Sequence, residues 1–497
     1  MLTWPSESLK FYKLTSQTLT AFLGGTLNKK YTNTSSDVIT VLAGLDHVDA
    51  IFTEFVAALD NIIRNGRHLD LRQKAIEVAL SVTSGAYQTG LLSYLTHRDL
   101  FPSLMKYIQE SDTTIRILQP FALLGLLVNY NKFEFQNPYR LRLDDFVNEA
   151  IIRKMVKSIG QSSSSSRDRY VAIQDDLPEG WNLNSTLTFL GLGGLAPGAK
   201  PPAPAPNPNA AKALFATLPG PEATILLATY DFTHANKLFC FNLVSSPAES
   251  KREESPFGAY LSLTSYILSH AHRSVRSTLY AHLNLLVLRI IVEDSVLLKR
   301  ICSDESKTTV RLCRHKQPYL PLVRGERVIA AAILDTVIDG INHNLRHLKS
   351  LPNINTLLDN LVSLVALSLS TGDAFLPGPA EYDDLFYKLV ETGDILVKFR
   401  DLYELDKRPS NSIATLISVS EHYYQLLTSN QSKTHSKHLS PQQVSNVIKS
   451  GYETLSITAK DGLDSWDRYR EADERVMLKK VARAAVADVR ALLKGED

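Results

Sequence analysis

Several groups of residues in this 497-residue chain have types and spacings that could support chemistry. Gly191 to Ala196 reads GLGGLA, which matches a loose dinucleotide fingerprint, and phosphate binding by such a loop requires a helix that begins directly after it. Pro197, Pro201 and Pro202 follow at once, so no helix can begin there. We therefore predict no nucleotide or other cofactor at this motif.

Two His and Cys pairs have to be weighed as metal ligands. His270 and His272 stand two residues apart on a predicted helix, so they point to nearly opposite sides and cannot chelate one ion. Cys313 and His315 are close enough in sequence, but a tetrahedral site needs two more ligands, and none stands at ligand spacing. We predict no metal site.

Asp144 and Asp145 are adjacent carboxylates. We expect them to begin the helix of sequence DDFVNEAIIRKMV, where they would cap the first turn and complement the helix dipole. Paired carboxylates acting as acid and base remain an alternative. With no nucleophile motif in the chain, we predict no catalytic residue and a protein that is not an enzyme.

The stretch NYNKFEFQNPYRLRLDDF combines asparagines with aromatic and basic residues. Structured loops between helices are favoured places for partner contact, so we predict a partner surface made of Tyr130, Phe133, Phe135, Tyr139, Arg140 and Arg142, with both arginines on one side of an extended segment. The alternative is a loop whose asparagines pin two helical layers through bonds to the backbone.

Composition limits the classes of partner. Lys and Arg number 54 against 52 Asp and Glu, a net charge of +2, which argues against nucleic acid. Three scattered cysteines do not form a disulfide framework and fit a reducing cytosol. No signal-peptide pattern is present, and the most apolar run, LNLLVLRII from Leu283, is short and interpreted as a core helix. We predict a soluble or peripheral protein without a transmembrane helix.

Residues 69–146 organise the rest of the chain. Short amphipathic helices follow one another with almost no spacer, and Asp99 and Pro102 mark one helix start. Ile115 to Val128 is apolar on nearly every side, which indicates complete burial. Because a single helical hairpin cannot cover such faces, we predict an all-α, armadillo/HEAT-like α-solenoid of stacked hairpins with one long disordered internal loop.

The predicted organisation has five parts. They are a poorly ordered N-terminal segment with a short helix between Thr15 and Phe22 (1–45), a helical region (46–158), a Ser/Pro/Ala-rich disordered loop (159–212), a second helical region with a helix from Glu326 to Leu348 (213–350), and a C-terminal helical region (351–497).

The C-terminal region is predicted to end in one long amphipathic helix from Leu463 to Leu493. Val481, Ala485, Val489 and Leu492 form its apolar stripe, and Glu471 and Arg475 are placed to pair at i, i+4. Lys479, Lys480, Arg483 and Arg490 make its second half basic. Two interpretations stay open: a terminal cap with a solvated face, or a helix that docks on a membrane or a partner.

Two long strings carry a family resemblance. VTSGAYQTGLLSYLTHRDLFPSLMKYIQ with LLGLLVNYNKFEFQNPYRLRLDDFVNE, and the block from Val310 to Leu348, resemble the armadillo-like helical domain-containing proteins. Members of this family generally have a longer helical region ahead of the first string, so we expect that region to be missing or replaced here.

The resemblance implies a non-catalytic scaffold, cytoplasmic and peripheral on Golgi membranes. It implies roles in Golgi organisation and in recruiting phosphatidylinositol 4-kinase beta, with an Arf guanine-nucleotide exchange factor as a further partner. Two alternatives remain: a peripheral membrane protein that binds anionic lipid through basic helices, and an enzyme with an unrecognised site.

Overall fold

The computed structural model describes residues 6–27, 43–44, 46–87, 89–174, 208–250, 253–314, 321–344 and 469–494. Helices dominate these ranges, which confirms the predicted all-α, armadillo-like class with one local exception. The GLGGLA motif, His315, the middle of the predicted loop (175–207) and most of the predicted C-terminal region (345–468) lie outside the described residues.

The helices of the first half are α1 (Ser6–Leu27), α2 (Val48–Asn65), α3 (Leu69–Gly85), α4 (Leu92–His97), α5 (Phe101–Glu110), α6 (Leu118–Asn129), α7 (Pro138–Asp144) and α8 (Glu149–Gln174). Those that follow are α9 (Pro208–Thr217), α10 (Ile225–Ala235), α11 (Lys237–Ser245), α12 (Pro256–Ser269), α13 (Val275–Glu293), α14 (Ser295–Cys302), α15 (Ile329–Asn344) and α16 (Arg475–Lys494). Two strands, β1 (Thr308–Leu312) and β2 (Leu322–Arg327), precede α15.

The long helices stack in two rows. In the first row α2 packs on α5, α5 on α8, α8 on α12 and α12 on α15. In the second row α1 packs on α3, α3 on α6, α6 on α10 and α10 on α13. Each helix thus buries its apolar face against neighbours along its row and across to the other row, which is the packing expected of a solenoid. Helix α16 lies on the second row, in contact with α3, α6, α10 and α13.

Helix α6 shows why this sequence needs its neighbours. From Pro120 to Asn129 every residue is buried, so the helix has no solvent face. Phe121 stacks on Phe232 of α10 with ring centroids 5.5 Å apart. Gly125 permits the close approach of the two helices, since a Cβ there would lie 3.1 Å from Ala228. At the start of α5 upstream, Asp99 accepts a hydrogen bond from the Phe101 amide (3.1 Å) and Pro102 stands in the first turn, as predicted.

The N-terminal segment is more ordered than predicted. Instead of a short helix from Thr15 to Phe22, α1 runs over 22 residues and packs along α3. The Ser81 hydroxyl of α3 donates to the Thr20 carbonyl (3.1 Å). The prediction failed because Gly24 and Gly25 look like a helix end, whereas the packing of α1 along α3 carries the helix through both residues.

The predicted disorder of residues 159–212 is wrong at both ends. The five serines continue α8 to Gln174, and α9 begins at Pro208. Small side chains explain the serine run, because α8 packs tightly against α12: a Cβ on Gly160 would lie 2.8 Å from the Pro256 Cα. Ser163 and Ser166 are buried in this contact, and Arg167 forms a buried ion pair with Glu254.

The local exception to the all-α prediction is an antiparallel hairpin before α15. Thr308 pairs with Arg327 and Leu312 with Leu322, with an irregularity between Thr309 and Arg311. Val310 and Leu312 are buried while Arg311 between them is half-exposed, so this short alternation has the period of a strand. The helix predicted from Glu326 therefore begins only at Ile329.

Helix α13 contains the run from Leu283. Among the described residues it is the helix long and apolar enough to cross a membrane, judged by length and composition alone, with a mean hydropathy of 1.3. Its side chains are mostly buried within the protein, and the Asn284 amide donates to the Thr264 hydroxyl (3.1 Å). This placement agrees with the predicted core helix.

We predict opposite effects for two helical glycine substitutions. Gly160→Ala should destabilise the protein by about 1–3 kcal/mol, since the new methyl group collides with the backbone at Pro256. Gly25→Ala, the matched control, meets nothing within 4 Å and should stabilise α1 by about 0.5–1 kcal/mol. Urea unfolding followed by far-UV circular dichroism measures both, and an unchanged or raised midpoint for Gly160→Ala would contradict the close packing of α8 on α12.

Buried His282 should make the fold acid-sensitive. Burial lowers the pKa of its imidazole to about 4, from 6.5. As pH falls below 6.5 the unfolded chain binds a proton that the folded chain does not, so stability is lost with falling pH until about pH 4.

The test compares wild type with His282→Gln. Between pH 7.5 and 4.5 the free energy of unfolding should fall by about 2–3 kcal/mol more in wild type. All other titrating groups are common to the two proteins and drop out of the difference. Parallel pH profiles for the two would refute the assignment.

Candidate interaction surface

Asn137 fixes the loop that was predicted to carry a partner surface. Its side-chain amide donates to the carbonyls of Leu127 (2.8 Å) and Val128 (3.1 Å), and its side-chain oxygen accepts from the Tyr139 amide (2.9 Å). The loop between α6 and α7 is therefore held against the end of α6 and caps α7. The alternative that asparagine pins the helical layers here is confirmed.

Two of the six predicted contact residues are unavailable to a partner. Tyr139 is fully buried, and its hydroxyl donates to the Leu95 carbonyl (2.7 Å) and accepts from the Leu100 amide (3.2 Å). Tyr130 is also buried and donates to the Thr89 carbonyl (2.9 Å). Both predictions were wrong because a tyrosine with a backbone partner is more stable inside the stack than at its surface.

The other four residues reach the surface to different degrees. Phe135 is exposed, and Phe133 is half-buried beneath the Arg475 guanidinium, 5.8 Å from its ring centre. Arg140 and Arg142 do not lie on an extended segment, as predicted, but in helix α7. There Arg142 pairs with Asp99 (2.8 Å) and Arg140 turns toward Glu471.

Asp144 and Asp145 do not begin a helix. Asp144 is the last residue of α7, and α8 begins at Glu149, where the Asn148 side chain accepts from the Ile151 amide (3.2 Å). Both carboxylates are exposed. Asn148 thus has the capping role that the prediction gave to the aspartates.

Sequence reasoning missed the most tightly connected site, a buried ionic junction of Lys132, Asp231, Glu471 and Arg140. The Lys132 ammonium lies 2.6 Å from Asp231 Oδ1 and 2.5 Å from Glu471 Oε1. Arg140 Nη2 lies 2.9 Å from Glu471 Oε2, and the Asn129 amide donates to Asp231 Oδ2 (2.5 Å). Two cations and two carboxylates balance, so the junction joins α6, α7, α10 and the C-terminal segment without net charge.

The two carboxylates respond differently to burial. Desolvation raises the pKa of Asp231 to about 6, although Lys132 and the Asn129 hydrogen bond oppose this. Burial acts the same way on Glu471, but Lys132, His234 and Arg140 outweigh it and hold the pKa of Glu471 below its usual value. Burial also lowers the pKa of His234, which favours its neutral form. Glu471 is therefore the carboxylate that the surrounding cations stabilise as an anion.

Tyr469 completes the attachment of the C-terminal segment. Its hydroxyl lies 2.6 Å from the Tyr230 hydroxyl, which in turn donates to Glu471 Oε1 (3.0 Å). Its backbone amide donates to Glu293 Oε2 (2.9 Å). These bonds hold residues 469–470 extended, and Glu471–Glu474 form one 3₁₀ turn before α16 begins.

This arrangement corrects three predictions about the C-terminal helix. The helix begins at Arg475, not Leu463; Glu471 pairs with Lys132 and Arg140, not with Arg475; and Arg490 donates to the Ser84 carbonyl (2.6 Å) at the end of α3. The stripe of Val481, Ala485 and Val489 is buried as predicted. At the far end of the helix, Asp488 pairs with Arg276 (2.7 Å).

A separate cavity of about 960 Å³ lies between α8 and the segment after α11. Its walls carry charges of both signs, and these pair with one another: Lys157 with Glu249 (2.5 Å), and Arg167 with Glu254. These two pairs neutralise four of the charged side chains that line the cavity.

The residues weighed as metal ligands are not arranged as a site. His270 ends α12 and His272 lies in a 3₁₀ turn, so they do not share a helix as predicted. In the described part of the chain no group of three or more His, Cys, Asp or Glu side chains is placed to hold a metal. Burial raises the pKa of the Cys240 and Cys302 thiols to about 12, so both stay protonated at neutral pH.

Comparison with known proteins finds one family match and several relatives of the chain. Residues 346–491 match the family described as armadillo-like helical domain-containing protein 3, C-terminal. The chain is 21% identical to the human armadillo-like helical domain-containing protein 3 over 95% of its own length and 82% of the human protein. The resemblance to the armadillo-like helical domain-containing family is confirmed.

Two further relatives extend the comparison. The Xenopus laevis armadillo-like helical domain-containing protein 3 is 22% identical over 95% of this chain and 82% of that protein. A Schizosaccharomyces pombe protein, named as a membrane protein of family UPF0588, is 25% identical over 96% of this chain and 84% of its own length. The matched C-terminal region ends within α16, so its last helix is part of the stack that the earlier residues form.

We predict that the ionic junction is essential to stability. Lys132→Met removes the cation shared by Asp231 and Glu471, and an uncompensated buried charge should cost about 3–5 kcal/mol in the free energy of unfolding. Arg142→Met is the control, because it removes a more exposed ion pair worth at most about 1 kcal/mol. Urea unfolding of the full chain measures both. Equal midpoints for the two variants would show that the junction does not hold the C-terminal segment.

Proposed function

We propose that this protein is a non-catalytic helical scaffold that supports Golgi organisation and the recruitment of phosphatidylinositol 4-kinase beta. The observation that carries the proposal is similarity to armadillo-like helical domain-containing protein 3 along nearly the whole chain, within the family on which the expectation rests. A scaffold of this kind raises the local concentration of an enzyme at a membrane without carrying out the reaction itself.

The physical organisation supports a role through surface contacts. In the described residues the groups weighed as catalytic or metal-binding lie apart: Asp144 and Asp145 are exposed at the end of α7, and Cys313 is buried beside α12, where its amide donates to Ser265 (2.9 Å). The buried charges of Lys132, Asp231 and Glu471 are paired within the ionic junction. Stacked helices with internally balanced charges provide an extended docking surface.

By the same proposal the protein is cytoplasmic and peripheral on Golgi membranes, with an Arf guanine-nucleotide exchange factor as a second partner. The exposed members of the predicted partner surface, Phe135 and Arg142, are the contact residues available for such proteins. Aromatic and arginine side chains contribute most of the energy at protein interfaces. Phe135 lies in the loop before α7 and Arg142 lies in α7 itself, which is anchored to the stack through Tyr139.

The proposal predicts a defined loss of kinase binding. Tagged full-length protein purified from cells should recover phosphatidylinositol 4-kinase beta, and Phe135→Ala with Arg142→Ala should lower that recovery at least about tenfold. The control is Phe241→Ala with Arg153→Ala, two comparably exposed residues on other helices. Quantitative immunoblotting gives the ratio of kinase to bait.

Two results would reject the proposal in different ways. If the wild-type bait recovers no kinase, the assigned partner is wrong. If recovery is equally reduced in the control variant, the contact surface is wrong although the partner stands. A third bait lacking residues 175–207 keeps α8 and α9 intact and tests whether the segment between them contributes to kinase recovery.

A further inference from the structure

The outer face of α16 carries a concentration of positive charge that the scaffold proposal does not use. The helix contains one acidic residue, Asp488, and six basic ones: Arg475, Lys479, Lys480, Arg483, Arg490 and Lys494. Its 20 residues therefore carry a net charge of +5, in a chain whose total is only +2. The excess of positive charge is concentrated on this helix, so the ligand of the helix depends on its own charge and not on that of the whole chain.

Because α16 packs on the stack, some of its charged side chains face the protein and others face solvent. Asp488 and Arg490 turn toward the protein, where Arg276 and the Ser84 carbonyl bind them. Lys480 and Arg483 are exposed on the opposite side, and neither forms an ion pair with any part of the chain that the structure describes. Lys480 and Arg483 therefore remain as surface charges that do not stabilise the docking of the helix.

One carboxylate restrains the beginning of the helix. Glu134 accepts from both Arg475 (3.1 Å) and Lys479, so a single negative charge faces two cations. These pairs hold the loop residue Glu134 against the first turns of α16. With Lys480 and Arg483, the first half of α16 carries four cations and no acidic residue, while Asp473 and Glu474 lie in the 3₁₀ turn before it.

Two exposed apolar side chains accompany this charge. Phe135 follows Glu134 in the loop and is 42% exposed, and Val476 follows Arg475 and is 68% exposed. Each is next in sequence to a member of the ion pair that joins loop and helix. We call Phe135, Val476, Arg475, Lys479, Lys480 and Arg483 the basic patch.

We infer that the basic patch binds an anionic lipid surface while α16 stays docked on the stack. Cations contribute attraction to acidic headgroups, and exposed aromatic and aliphatic side chains beside them enter the interface. The apolar stripe of α16 is already covered by α3 and α13, so contact with lipid is made by the outer face and not by insertion of the whole helix.

The size of the basic patch favours lipid over nucleic acid as its ligand. Nucleic-acid binding depends on neutralising many phosphates along a strand, and four cations on one short helix neutralise only a few. A compact group of four cations with two apolar side chains matches a headgroup layer better. Such a patch gives reversible, salt-dependent association, which suits a scaffold held mainly by other contacts.

The test measures binding of the purified full chain to vesicles by flotation. Vesicles of phosphatidylcholine with phosphatidylserine should bind the protein more tightly than vesicles of phosphatidylcholine alone. Each cation near an acidic surface is worth roughly fivefold in partition, so Lys480→Gln with Arg483→Gln should weaken binding about 30-fold. Circular dichroism checks that this variant folds, which its exposed positions predict.

The matched control is Arg153→Gln with Lys237→Gln, which removes the same charge from exposed positions on α8 and α11. It should bind the acidic vesicles as wild type does. The inference is overturned if wild type shows no preference for acidic vesicles, or if both double variants weaken binding equally. It is also overturned if a single-stranded oligonucleotide binds the same patch more tightly than the vesicles. Purified protein and lipid alone suffice, so the result is independent of kinase recruitment.

Discussion

One buried ammonium group holds the described structure together. Lys132 lies between Asp231 of α10 and Glu471 of the C-terminal segment, and Arg140 supplies the second cation. Removing these charges from water is costly, and the cost is offset only while all partners are in place. The junction therefore fixes the relative positions of the loop after α6, the second row of helices and the extended residues before α16. A neutral apolar contact at this point would tolerate sliding of α16 along the row, whereas paired charges specify its register.

The junction also determines what the molecule can present to others. Helix α16 covers part of the second row, so the surface that a stack of hairpins would otherwise leave open is occupied by the chain itself. The family match at 346–491 ends within this helix, so the last helix of the matched region shares a core with the helical stack. Whatever binds the first row, the loop before α7 or the outer face of α16 acts on one connected body.

Much of the fold could be predicted because its signals are local. The all-apolar run of α6, the start of α5 at Asp99 and Pro102, and the stripe of α16 each depend on residues a few positions apart. The errors arose where a distant partner decides the structure. The serines of α8 have the composition of a flexible linker. Their structure depends on the packing of α8 against α12, where Pro256 lies against Gly160 and only small side chains fit. Likewise β1 has only five residues, so its alternation is too short to predict a strand. Its structure depends on pairing with β2.

The candidate surface was harder to predict than the fold, for a related reason. Tyr139 and Phe135 are both aromatic residues of one short segment. The Tyr139 hydroxyl bonds to the backbone of Leu95 and Leu100, whereas Phe135 faces solvent. Residue type does not distinguish them. The same is true on α16: at 100° per residue, Lys480 and Arg490 both lie about 140° from the centre of the stripe of Val481, Ala485 and Val489. Arg490 nevertheless reaches the Ser84 carbonyl at the end of α3, whereas Lys480 is exposed. The angle on the helix does not separate the cation that binds the stack from the cation left for a partner. The difference comes from where α3 ends, and α3 lies far from α16 in the sequence, so no local pattern specifies it.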